Sequence, residues 1–152
     1  VEKQLDRKTP DQWAALLADP AKAAAAAPEI IRWQTPLAHM RRTCLTETEV
    51  GGQTIRAGDK VLMWYISANR DEAVFPDAEA FDITRANARR HLSFGFGVHR
   101  CVGARLAEIQ IQILIEEMVA RRMTAHITGE PELAAQSFVH GYMRLPVTLS
   151  RG

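Results

Sequence analysis

The sequence predicts a mainly α fold with small β hairpins (α+β), and three observations lead there. Helix-forming segments stand at both ends of the informative region. One is an alanine-rich run leading into Glu29-Ile30-Ile31-Arg32, the other a long stretch after Cys101 with Leu106, Ile109, Ile111, Ile113, Leu114, Ile115 and Met118. Between them, short β-prone segments are punctuated by Gly51-Gly52 and Ala57-Gly58-Asp59, both turn signals. The third is His91 to Gly103, a loop with three glycines, two phenylalanines and a cysteine where the second helical pattern begins.

In chain order, Val1 to Arg7 is short and charged and reads as the tail of a helix whose body lies upstream. Thr9-Pro10-Asp11 reads as a helix start, Thr9 as N-cap and Pro10 in the first turn. Trp13, Leu16 and Leu17 give that helix an apolar stripe, and Asp19-Pro20 ends it. Ala21 to Ala27 has high helix propensity, Pro28 interrupts it, and a helix resumes there. Two small hairpins are expected from Leu45 to Ile66, with Val61–Ile66 as a buried strand. Asn69 to Phe81-Asp82 reads as an ordered meander anchored by its aromatic residues. The helix after Cys101 runs to about Arg122 and is apolar on more than one face, so it is expected to be largely buried. Strand-like pieces follow at Met123–Thr128 and Met143–Leu149. No repeat or linker divides residues 1–152, which read as part of a single domain.

Composition narrows the function. With 152 residues, 47% hydrophobic and 24% charged, the chain is ordinary globular material. A net charge of +1 gives no reason to expect nucleic acid or an anionic membrane surface. Cys44 and Cys101 make no disulfide framework, so a reducing, cytoplasmic setting is expected. No apolar run approaches the roughly 18 residues of a membrane span, and no signal peptide is visible. Val1 in place of a start methionine predicts that the natural N-terminus lies upstream.

The chemistry concentrates in the glycine-rich loop. Gly95 and Gly97 admit backbone angles that other residues reach only at a cost, so the loop can lie flat against a ligand. Cys101 stands at a helix mouth, where unpaired N–H groups and the macrodipole favour an anionic sulfur. Such a sulfur suits a soft or borderline metal, haem iron among them. A structural zinc site at Cys101 is poorly supported, because two cysteines and five histidines lack ligand spacing.

Phe94, Gly97, Cys101 and Gly103 fall in the order Phe-x-x-Gly-x-x-x-Cys-x-Gly, with His99 two residues before the cysteine. This pattern resembles the haem-ligand loop of the cytochromes P-450. Glu29-x-x-Arg32 precedes it by about 70 residues, as in that family. The resemblance continues through Ser67-Ala68-Asn69-Arg70-Asp71, Phe75-Pro76-Asp77 and Leu145-Pro146-Val147. It covers essentially the whole chain but only the C-terminal portion of the family's fold, so the N-terminal part of the domain lies outside it. The stretches Ile30 to Thr43 and His91 to Gly97 are similar to the soluble bacterial enzymes that hydroxylate terminal carbons of alkanes and fatty acids.

The resemblance implies a haem-thiolate monooxygenase carrying haem b, with Cys101 as the proximal iron ligand. His99 and Arg42 would donate to the haem propionates, and Phe94 would pack beside the iron–sulfur bond. Gly95 and Gly103 would shape the loop against the cofactor. Glu29 and Arg32 would lock the proximal core. Leu37, Ala38, Met40, Phe138 and Val139 would line the pocket for a small hydrophobic substrate. Arg100 and Arg105, with Arg89 and Arg90 near in sequence, would face an acidic, ferredoxin-type electron donor.

Two departures accompany these implications. Many members place an arginine or histidine beside the meander phenylalanine to join the Glu-Arg pair; this chain has Ala80. Either Arg85 or another donor substitutes, or the triad is reduced to a pair. The helix carrying the acid–alcohol pair for oxygen activation also falls outside the chain. The competing expectation is therefore a truncated fragment or haem-binding module with no catalytic activity of its own.

Overall fold

A computed structural model describes residues 11–152. The expected helix start at Thr9-Pro10 and the charged segment Val1–Arg7 lie outside the described residues. Residues 11–18 are helical (α1), and a single 3-10 turn, Pro20–Lys22, leads into α2, Ala23–Gln34. The expected break at Pro28 does not occur, because α2 runs through it. Proline removes the N–H that would reach the Ala24 carbonyl one turn back. The Arg89 guanidinium reaches that oxygen instead, at 3.5 Å.

Strand β1, His39–Thr43, pairs antiparallel with β4, Lys60–Trp64, placing Arg42 opposite Val61. The hairpin of β2, Thr48–Val50, and β3, Gln53–Ile55, lies between them in sequence. In place of the two successive hairpins expected, one is inserted in the other. Gly51 and Gly52 take φ of +58° and +77°, the turn that matches strand twist. The expected buried strand Val61–Ile66 is also corrected. In β4 Val61 and Met63 are half-buried while Leu62 and Trp64 stand exposed, and the chain turns helical at α3, Tyr65–Ala68, where Tyr65 is buried.

Helix α4, Ala104–Ala120, packs on α2, and with α1 and the meander it forms the core. Leu16, Ala23, Ala26, Ile83, Ile115 and Val119 are buried there, with Trp13, Ile30, Phe81 and Ile111 packed against them. The expectation that α4 is largely buried fails. It buries the stripe Ala104, Glu108, Ile115 and Val119, while Leu106, Ile113 and Leu114 face outward. Those faces have no partner among the described residues. The chain closes with β5, Met123–Ile127, paired to β8, Val147–Arg151, and with β6, Glu132–Leu133, paired to β7, Tyr142–Arg144.

Candidate functional site: a cysteine loop on a buried ion cluster

The C-terminal half of α2 organises the site. Glu29 and Arg32 are one helical turn apart and both fully buried. Arg32 Nε donates to Glu29 Oε2 at 2.7 Å and Nη2 to Oε1 at 2.8 Å. Its other donors reach the carbonyls of Asn69, Ala78 and Ala80 at 2.7, 2.8 and 3.0 Å. All five guanidinium N–H groups are thereby used, and the Phe75 ring lies under the charge at 5.3 Å. Burying a charge costs little only when it is paired and fully hydrogen-bonded, which holds here.

The question left by Ala80 is settled by Arg85, whose Nε lies 3.3 Å from Glu29 Oε1. Arg85 also donates to the carbonyls of Pro76, Asp77 and Ala80. The cluster is therefore a triad with its third member displaced along the meander. The expected aromatic anchors are present, Phe75 buried and Phe81 packed on the core, and polar ties join them: Arg32 and Arg85 hold the backbone carbonyls of this stretch from the inside. The signal in the sequence is an arginine five residues past Ala80, which residue type alone does not separate from a solvated one.

The orphan carbonyls at the end of α2 connect the rest. Such groups must find partners outside the helix. Thr35 Oγ1 donates to the Arg32 carbonyl at 2.6 Å, and Ser93 Oγ joins Thr35 N on the Ile31 carbonyl, at 2.8 and 3.0 Å. Arg70 donates to Trp33 at 2.8 Å, and His140 Nδ1 lies 2.8 Å from the Gln34 carbonyl. Buried Asn69 extends the tie to the cysteine loop: its amide donates to Thr35 Oγ1 and Ser93 Oγ, and its carbonyl accepts from Leu92 N. Asn69, Thr35 and Ser93 belong to the site; they fall within the stretches that carry the resemblance, but no charge singles them out for a role.

The loop itself leaves this anchor at His91, which is 2% exposed. Burial lowers its imidazole pKa from 6.5 to about 4, against the opposing pull of the Glu108 carboxylate; the cations of Arg100, Arg89 and Arg32 add to the lowering. Gly95 takes φ of +71°, which favours glycine, and a Cβ there would crowd the Tyr65 hydroxyl at 3.2 Å. Cys101 N donates to the Phe94 carbonyl at 2.8 Å, and Gly95 N to Leu92 at 2.8 Å. The expected helix mouth falls at Gly103, which caps α4, and not at Cys101 itself. The Cys101 side chain is exposed, as are Phe96, Val98 and Val102 around it, Val98 at 97%.

The remaining predicted residues separate into groups. Phe94 is half-buried with its ring edge on His91 at 5.5 Å. His99 and Arg100 are exposed on the loop. Arg42 lies on β1 with Nη1 donating to the Arg41 carbonyl at 3.0 Å. Arg105 is exposed in the first turn of α4 yet reaches Glu108 at 3.4 Å, a carboxylate that Arg89 holds at 2.8 Å. Leu37 bridges Val139 across an antiparallel contact, and Ala38 N donates to the Phe138 carbonyl at 2.9 Å. Ala38 and Val139 line a cleft of about 160 Å³ with Ile66, Leu133 and His140. Met40 lies apart, paired with Met63 on the sheet.

Comparison with known proteins places these observations in one family. The sequence profile of cytochrome P450 matches residues 23–133, well over half of the chain. Linalool 8-monooxygenase of Pseudomonas putida is 43% identical over 140 residues, covering 92% of this chain and 34% of that protein. A methyl-branched lipid omega-hydroxylase of Mycobacterium tuberculosis is 44% identical over 123 residues, covering 80% of this chain and 28% of that protein. The solved structure of CYP153D17 from Sphingomonas sp. PAMC 26605 superposes with a TM-score of 0.91 at 60% identity, over 98% of this chain and 37% of that one.

The chain belongs to the cytochrome P450 family, and its helices and small antiparallel sheets are part of the P450 fold. It spans about a third of the length of these relatives. The family's cofactor is haem b, and the residues present fit it. Among the described residues no three His, Cys, Asp or Glu side chains stand together, as a protein-only metal site would need. A porphyrin brings four nitrogens of its own, so one exposed sulfur on a loop ringed by free apolar side chains is a sufficient donor set. Among the described residues no helix is long and apolar enough to cross a membrane.

Proposed function

We propose that the protein carrying this chain is a haem-thiolate monooxygenase that inserts one oxygen atom of O2 into an unactivated C–H bond, hydroxylating the terminal carbon of an alkane or fatty acid. The observation that carries the reading is the exposed Cys101 residue, held by a glycine-bent loop on the fully buried Glu29–Arg32 pair with Arg85 beside it. Within it, Cys101 is the proximal iron ligand and Phe94 packs beside it. Gly95 and Gly103 let the loop backbone pass close to the macrocycle, while His99 and Arg42 donate to its propionates. When bound, the cofactor supplies oxygen activation, with electron donation from the thiolate. The chain's own part is to hold that sulfur, exclude water from it and present Leu37, Ala38, Met40, Phe138 and Val139 to the substrate.

The chain is the C-terminal portion of its domain on this reading, and the oxygen-activating helix belongs to the remainder. The apolar outer faces of α4 support this division, since Leu106, Ile113 and Leu114 are the residue types a further layer would cover. The same observation favours a second statement about the chain taken alone: it is a truncated module without turnover. Electrons arrive from a ferredoxin-type donor at Arg100 and Arg105, and the protein works in the cytoplasm. The test is turnover of dodecanoic acid by the full-length protein with ferredoxin, ferredoxin reductase and 18O2. Terminal hydroxylation with one labelled oxygen supports the assignment; an unlabelled product, or none with a spectrally intact haem, overturns it.

A further inference from the structure

Two segments expected to face the substrate are far apart in sequence, and a single seam joins them. Leu37 bridges Val139, and Ala38 N donates to the Phe138 carbonyl. Beside these contacts lies a reciprocal pair. Gln34 Nε2 donates to the His140 carbonyl at 3.1 Å, and His140 Nδ1 lies 2.8 Å from the Gln34 carbonyl. Because that partner is a carbonyl, Nδ1 carries the proton. His140 N also donates to the Pro36 carbonyl at 2.7 Å.

Gln34 is the last residue of α2, so His140 satisfies one of its orphan carbonyls. Among the described residues the far side of the turn is tied by Ala134 N to Gly141 at 2.9 Å and Gln136 N to Ala134 at 2.8 Å, which fix its shape. Its distance from residues 37 and 38 is set by the Leu37–Val139 bridge and the Ala38–Phe138 bond together with the three links through Gln34, Pro36 and His140. Those three start from the same helix end that holds the cysteine loop through Ser93.

We propose that Gln34 and His140 are positioning residues that set where along a chain the substrate is presented, by fixing the turn at Phe138-Val139 against Leu37-Ala38. The proposal rests on the reading that these four residues face the substrate. Gln34 acts through the segments it ties, and His140, which also lines the cleft with Ala38 and Val139, does so through its Nδ1 and backbone bonds. A small displacement matters little for binding an apolar chain, but the register of two walls decides which carbon is nearest the reacting centre.

The test uses the haem-loaded full-length protein with dodecanoic acid, reading the ratio of terminal to subterminal alcohol, haem content and the ferrous–CO spectrum. His140→Leu and Gln34→Met each should change the product ratio roughly three- to tenfold, the range one ordinary hydrogen bond corresponds to, with haem content and spectrum unchanged. His140→Asn, whose amide nitrogen can stand near the Nδ1 position, should restore the parent ratio. A parent ratio in both His140→Leu and Gln34→Met, or a His140→Asn that behaves as His140→Leu, overturns the proposal. Leu37→Phe separates the two levels: if it shifts the ratio while the pair's variants do not, only the positioning role fails. If Leu37→Phe and Phe138→Ala also leave the ratio unchanged, the pocket assignment fails and the positioning role with it. Should His140→Leu not accumulate as holoprotein, Gln34→Met decides alone.

Discussion

The Glu29–Arg32–Arg85 cluster and the Cys101 loop are joined through Ser93 and Asn69, yet they are built on opposite principles. In the cluster every Arg32 donor is used and both primary charges are fully buried. In the loop Cys101 is exposed and its apolar neighbours stand free. The difference teaches which side chains do chemistry and which hold shape. A saturated group has nothing left to offer a ligand, while an unsatisfied one held by a saturated frame is available to it.

The largest effect should come from breaking the cluster. Arg32→Ala leaves Glu29 buried with only Arg85 and the Asp82 amide as partners, and should cost about 3–5 kcal/mol. Folded holoprotein should be lost, measured as soluble haem-containing yield and by denaturant unfolding. Arg85→Ala is the milder cut, since Arg32 keeps both of its bonds to Glu29; about 1.5–3 kcal/mol is expected. An Arg32→Ala protein that folded with full haem and lost only turnover would reverse the assignment of roles between the two regions.

His91, where the loop leaves the core, gives the next effect. Its folded pKa is about 4 against 6.5 ordinarily, so the unfolded chain takes up a proton at a pH where the folded protein does not. Its contribution is full above pH 6.5, declines as pH falls to about 4 and is then level, a span of about 3 kcal/mol. Unfolding at pH 7 and pH 4.5 should therefore show a slope that His91→Asn reduces. An equal slope in both proteins would mean that the ring is not buried as a neutral base.

How legible the molecule is in its sequence depends on what each residue answers to. The loop and Glu29-x-x-Arg32 can be read because glycine, cysteine and paired charges rarely fall at this spacing by chance. Arg85 cannot be assigned, because its partner is chosen by the path of the meander and not by local spacing. Pro28 misleads because Arg89, 65 residues beyond Ala24, supplies a donor to the carbonyl that the proline orphans. The burial of α4 is overestimated because its apolar outer faces meet nothing among the described residues. Gln34 and His140, which bond each other's carbonyls, and Asn69, which joins two hydroxyls and the Leu92 amide, cannot be assigned because such side-chain bonds leave no pattern.

The smallest effect on stability belongs to the outer surface. Arg105 is 69% exposed at its side chain and holds Glu108 at 3.4 Å while Arg89 holds it at 2.8 Å. Its loss should cost well under about 1 kcal/mol. Arg105→Glu should instead slow reduction by ferredoxin at low ionic strength, with the gap closing as salt screens the contact. A reduction rate indifferent to salt and to both Arg100 and Arg105 would remove the electrostatic docking surface.

The contrast between a saturated frame and a free sulfur is tested most directly by the ferrous–CO difference spectrum of Cys101→Ser beside Cys44→Ser. Cys44 already has carbonyl neighbours, Thr46 at 2.9 Å and Ile55 at 3.8 Å, and lies at the base of the inserted hairpin. Cys101→Ser should leave the far-UV circular dichroism of the full-length protein unchanged and abolish the thiolate-type CO band, while Cys44→Ser keeps both. A thiolate-type band that survives in Cys101→Ser, or disappears in Cys44→Ser, would contradict the assignment of Cys101 as the iron ligand.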